Sequence, residues 1–226
     1  MCFSAEASFT ASAVLGVTGI ITMKSVRNRK QLLVAAIPLL FALQQMSEGF
    51  VWLSMDALTL PAHLRTFCEY FFLTFAFLIW PIWIPFAFFT MEEVKWRKIL
   101  LALVTVAGIT LSFFNGSYLP GSGVEVTVVS NSIRYFTKGP QLNYEWMVTV
   151  IYNAIVIIPT FLSSYRYMWL WGLAVLTSSI IANYFYYTTY TSVWCFFSAV
   201  ISIGLYFVLL YNYTIAEKES HTPETH

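Results

Sequence analysis

Charge is what this chain has least of. Lys, Arg, Asp and Glu together make up 10% of its 226 residues, against 58% hydrophobic, and the mean hydropathy is +0.69. Soluble domains carry about 25% charged residues, so a soluble fold is excluded. Histidine is also scarce: of three, His221 and His226 fall in a polar C-terminal tail, which leaves His63. No His-x-x-x-His occurs and no predicted span contains an aspartate, which excludes a zinc hydrolase built on three histidines and an aspartate. Every lysine (24, 30, 95, 98, 138 and 218) lies in a predicted loop or tail, so none is available for a retinal-type Schiff base. A net charge of +1 with no basic stripe argues against a nucleic-acid partner. Residues 1–6 hold no Lys or Arg ahead of the first apolar run, the pattern of a reverse anchor and not of a cleaved leader.

What the chain does have is long apolar runs, at 7–23, 31–55, 70–91, 99–115, 146–163, 167–187 and 192–213. Each is close to the roughly 17–25 residues a spanning helix needs. The fold expected is an all-α integral membrane protein, a seven-transmembrane-helix bundle comprising residues 1–215. The break between the last two helices is placed at 187–192. Nine of the twelve basic residues (Lys24, Arg27, Arg29, Lys30, Lys95, Arg97, Lys98, Arg166 and Lys218) fall on one side of such a bundle. The positive-inside rule then puts the N-terminus outside and the C-terminus in the cytoplasm.

Between helices 4 and 5, residues 116–144 form the one sizeable outer segment. Val124, Val126 and Val128 alternate with Glu125 and Thr127, and Ser130-Asn131-Ser132 turns into 133–137. That pattern predicts a short β-hairpin lying on the helix ends, as an ordered connector or as a lid. Residues 216–226 are polar without periodicity and are expected to be disordered. Pro38, Pro81, Pro85 and Pro159 fall inside spans and predict kinks whose freed carbonyls neighbouring helices must satisfy.

Glu48 is the only charge in 31–55, and an ionisable group at that depth costs about 2.5 kcal/mol or more. Gln44, Glu48 and Trp52 stack on one helical face, with Gln45 beside them, and Gly49 admits a close neighbour. Glu69, Asn153, Asn183 and Trp194 are expected at similar heights on other helices. Together these eight residues predict an outward-facing polar pocket with Glu48 near its floor. The competing reading is interhelical bonding, at about 0.6–2 kcal/mol per bond.

Cys2, Cys68 and Cys195 are the only cysteines and all are expected at the outer level. Cys2 and Cys195 are the candidate disulfide. A metal site on Cys2, His63 and Cys195 is chemically admissible, but the spacing matches no metal motif. No cofactor is otherwise expected.

The opening Met1-Cys2-Phe3-Ser4, the Gln44-Gln45-x-x-Glu48-Gly49-x-x-Trp52 segment and Val193-Trp194-Cys195-Phe196-Phe197 resemble a family of uncharacterised bacterial multi-pass membrane proteins. The resemblance implies a bacterial inner-membrane location and no established activity. It directs attention to Cys2, Glu48, Trp194 and Cys195.

Three function classes remain in view. One is binding, or binding and transport, of a small polar or cationic ligand; seven-helix sugar carriers share the helix count, although the two halves here show no repeat. The others are a thiol- or metal-dependent membrane enzyme acting on a lipid-type substrate, and a sensor or accessory subunit. The partners expected are the lipid bilayer and a small-molecule ligand, with a homo-oligomer left open.

Overall fold

The computed structural model describes residues 4–56, 61–119, 123–137 and 145–221. Six helical stretches are long and apolar enough to cross a membrane: Ala5–Ser25, Arg29–Met55, Ala62–Met91, Lys95–Tyr118, Met168–Phe185 and Tyr187–Ile215. A seventh, Trp146–Leu162, is apolar but shorter. The protein is therefore a helical multi-pass membrane protein with a small two-stranded sheet. In elements, α1 is Ala5–Ser25, and α2 (Leu32–Ala35) breaks at Ala36 into α3 (Ile37–Asp56). α4 (Ala62–Thr74) continues through a π-helical turn into α5 (Trp80–Met91), followed by α6 (Lys95–Tyr118). Strands β1 (Val124–Val129) and β2 (Ser132–Thr137) precede α7 (Glu145–Leu162) and α8 (Met168–Phe185). α9 (Tyr190–Ser202) and α10 (Gly204–His221) complete the chain.

Two boundaries differ from expectation. The third rod starts at Ala62, not near 70, because Arg65 and Glu69 pair one turn apart (2.8 Å) and so can enter the helix together. The last helix runs to His221, six residues into the segment expected to be disordered, since Glu217, Lys218 and Glu219 are good helix formers and no proline lies between Gly204 and Pro223; residues 222–226 lie outside the described residues.

The rods alternate in direction, and their loop contacts place the basic segments at one end. Lys30 Nζ pairs with Glu93 (2.9 Å), and Gln31 Nε2 donates to the Tyr165 hydroxyl (2.9 Å). The Arg166 backbone N–H donates to Asn212 Oδ1 (2.9 Å). The hairpin lies with the opposite helix ends. Its two-residue turn, Ser130-Asn131, has both residues at positive φ (49° and 59°), the hairpin geometry that matches strand twist.

The π turn Phe75–Ile79 is where the third rod acquires its shape. Pro81 has no N–H to offer the Phe77 carbonyl, and the widened turn disturbs its neighbours. Three side chains from other rods supply the missing donors. Tyr152 Oη donates to Ala76 O (2.6 Å), Asn115 Nδ2 to Phe77 O (3.4 Å) and Ser112 Oγ to Leu78 O (2.9 Å). Pro85 likewise leaves the Pro81 carbonyl without its i+4 N–H, and that carbonyl faces Gly108 of α6. A Cβ at 108 would sit 1.9 Å from it. The kink thus fixes how α6 and α7 lie against the third rod.

Candidate functional site

The first turns of α9 are the hub of the half of the bundle nearest the hairpin. Ser192 and Cys195 are three apart and share one face; Tyr190 and Trp194 are four apart and share another. The first face meets α3. Ser192 Oγ donates to Glu48 Oε1 (2.5 Å), and Gln45 Nε2 donates to Glu48 Oε2 (3.3 Å). Gln44 Nε2 reaches Cys195 Sγ (3.4 Å) and Phe72 O (3.5 Å), while its Oε1 accepts from Trp80 Nε1 (2.8 Å). Gln44 and Gln45 are fully buried and Glu48 is 1% exposed. Gly49 plays the part expected of it, because the Phe9 ring of α1 lies where a Cβ would be, at 2.8 Å.

The second face meets α7 and α8. The Tyr190 hydroxyl, Asn153 and Ser179 form a closed triangle: Asn153 Nδ2 donates to Tyr190 Oη (2.9 Å) and Ser179 Oγ to Asn153 Oδ1 (2.5 Å). The Trp194 ring stacks on Tyr190 (centroids 5.3 Å apart) and meets Tyr152 edge-on (5.7 Å). Its Nε1 is buried without a partner. Trp194 and Cys195 line a cavity of about 100 Å³ with Tyr152, Tyr190, Asn115 and Thr149, and a smaller one of about 30 Å³ beside Trp80.

The hairpin contributes more than cover. Ile133 and Ser132 are fully buried, and the Tyr135 ring stacks on Phe72 of α4 (4.8 Å, interplanar 10°). This aims the Tyr135 hydroxyl inward, where it is buried without a partner and within electrostatic reach of Glu48, Glu69, Cys195 and Cys68. Burial first, then the two carboxylates, push this phenol well above its usual range. Gln45 Oε1 is a further buried atom with no partner.

The eight residues singled out in the sequence are thus divided. Gln44, Gln45 and Glu48 form one cluster, and Trp52 is buried one turn further out. Glu69 is buried but paired with Arg65. Asn153 belongs to the separate α7–α8–α9 triangle, and Trp194 to the cavity on that side. Asn183 is exposed on α8, away from both. His63 is exposed at the start of α4, whereas Cys195 is buried against Gln44. Among the described residues no three metal-ligating side chains come together. Cys68 and Cys195 are not linked to each other; Cys2, and with it the expected disulfide, lies outside the described residues. Ser192, Trp80 and Tyr135 were not foreseen. A lone serine, a tryptophan beside a proline and a tyrosine in a strand carry no signal of their own.

The basic end holds two further features. Glu92, directly after α5, is 1% exposed and has no cation partner among the described residues. Burial alone would push its carboxyl up. Donors outweigh that and hold it below the usual range: the N–H groups of Val94, Ser164 and Glu93 and the Ser164 hydroxyl, at 2.8–3.0 Å. Beside this knot is a cavity of about 720 Å³ between α1 and α10.

Residues 1–220 match the model of a family of unknown function, DUF6629, and the chain belongs to that family. No curated protein and no solved structure matches it. The membership agrees with the resemblance read from the sequence and assigns no activity, so function has to be argued from the site.

Proposed function

We propose that this membrane protein binds a small cationic or polar ligand in the outer half of its bundle, beside Glu48 and beneath the hairpin. The observation that carries this reading is a buried carboxyl group, Glu48, with no cation beside it among the described residues, accompanied by two buried polar atoms without partners, Gln45 Oε1 and Tyr135 Oη. Each such atom costs about 1–3 kcal/mol unless something satisfies it. Glu48, Glu69 and the Gln45 oxygen supply acceptors, and Arg65 pairs only with Glu69, so the Glu48 carboxyl has no counter-charge among the described residues when it gives up its proton. That balance suits a cation carrying hydrogen-bond donors. The hairpin is the lid in this reading, since Tyr135 reaches the site from the strand that covers the helix ends. The location is a bacterial inner membrane, N-terminus out and C-terminus in the cytoplasm, supported by the basic residues gathered at one end.

Glu48→Gln is the informative variant. Gln keeps an acceptor for Ser192 and removes the charge, so folding survives and cation binding is lost. A panel of ammonium, methylated ammonium and alkali cations, read by thermal shift, should stabilise the wild type and leave Glu48→Gln unmoved. Identical responses from the two proteins would refute the proposal.

A further inference from the structure

We propose that the large cavity at the basic end is a binding site for the phosphate-bearing headgroup of an anionic phospholipid. It is independent of the Glu48 site and at the opposite end of the bundle. Among the described residues two charged ones line it, Arg27 and Glu93, and Glu93 is already neutralised by Lys30 at 2.9 Å. Arg27 has no carboxylate partner among the described residues, and its guanidinium is held 4.2 Å over the Tyr213 ring. A guanidinium stacked on an aromatic ring keeps its N–H edge free for an oxyanion, which is how arginine recognises phosphate. Lys24, at the end of α1, and Arg166, next to the lining Tyr165, lie outside the cavity wall in sequence positions flanking it, and neither has an ion-pair partner among the described residues. Asn28, whose side-chain oxygen already accepts from the Lys30 N–H, leaves its Nδ2 as a neutral donor in the wall.

The remaining walls point to a lipid as the source of the phosphate. Val26, directly after α1, and Tyr206, Leu209 and Leu210 on α10 form the apolar side of the cavity. From there α1 presents Ile21, Ile20 and Val17 to its surroundings, each 46–60% exposed. A headgroup in the polar half would therefore have its acyl chains continue along an apolar surface between two membrane-crossing helices. Basic pockets between helices at this level are suited to anionic lipids, and the volume of about 720 Å³ accommodates a phosphoglycerol group.

The full chain, purified in a neutral detergent, is titrated with phosphatidylglycerol, phosphatidylethanolamine or inorganic phosphate, and bound lipid is counted by native mass spectrometry alongside the melting temperature. Phosphatidylglycerol is expected to bind in preference to phosphatidylethanolamine, and inorganic phosphate to give no shift. Arg27→Gln, at an exposed position where folding is not at stake, should weaken phosphatidylglycerol binding about fivefold, the effect of one basic contact near the membrane surface. Arg27→Lys, which keeps the charge, should retain the preference. Equal binding of the two lipids, or an undiminished preference in Arg27→Gln, overturns the proposal. Stabilisation by inorganic phosphate equal to that by the lipid overturns the lipid as its ligand.

Discussion

Replacing Glu92 by alanine should destabilise the protein more than any other single change at the basic end. The carboxylate accepts from the Glu93 and Val94 N–H groups at the entry to α6 and from both the N–H and hydroxyl of Ser164 in the α7–α8 loop. It therefore ties the turn that leads into α6 to a loop 72 residues away. Hydrogen bonds to a charged acceptor contribute about 1.5–3 kcal/mol each. Because the four bonds share one group and are not additive, a total of about 2–4 kcal/mol is expected. The same carboxylate sets a pH dependence. Its folded-state pKa lies below the ordinary value of 4.5, so the folded state favours the ionised form. Its contribution is complete above pH 4.5 and is lost as the pH falls through the depressed folded value. Thermal unfolding in detergent, followed by tryptophan fluorescence between pH 7 and pH 3, measures both effects. Glu92→Ala should melt several degrees lower at pH 7 and show a flatter fall towards pH 3 than the wild type. Equal melting temperatures at pH 7, or parallel falls with pH, would refute the reasoning.

Other changes test the packing. Gly108→Ala places a Cβ on the Pro81 carbonyl, so α6 must shift; a loss of about 1–3 kcal/mol is expected in the same melting assay. Trp80→Phe keeps the stacked ring over Phe41 but leaves Gln44 Oε1 without its donor, at about 1–3 kcal/mol. Ser192→Ala removes the tie between α9 and Glu48, and should lower stability by about 1 kcal/mol while raising the reactivity of the Glu48 carboxyl, measured by mass spectrometry after modification.

The rods and the hairpin were legible because their signals are local. Run length marks a span, and alternation around Ser130-Asn131 marks two strands and a turn. The start of α4 was hidden because Arg65 reads as a loop charge until its pairing with Glu69 is seen. The Pro81 kink was legible, but its partners Tyr152, Asn115 and Ser112 were not. On α3, the spacing of Gln44, Glu48 and Trp52 identified the polar face. What that face meets depends on how apolar helices rotate against one another, and a helix apolar on every side offers no clue. The same ambiguity separates Asn153, bonded inside the bundle, from Asn183, exposed on its surface. The Glu92 knot went unnoticed because two adjacent glutamates in a basic loop look like solvated charge, whereas only Glu93 is exposed.

The central claim concerns Glu48, and its carboxyl can be interrogated chemically. A membrane-permeant carbodiimide forms a stable adduct with a protonated carboxyl that it can reach, and peptide mass spectrometry locates it. The account predicts an adduct on Glu48 in the wild type that is suppressed by the cation that raises the melting temperature. Labelling of Glu48 that no stabilising cation diminishes, or a Glu48 that stays unmodified while other carboxyls react, would contradict it.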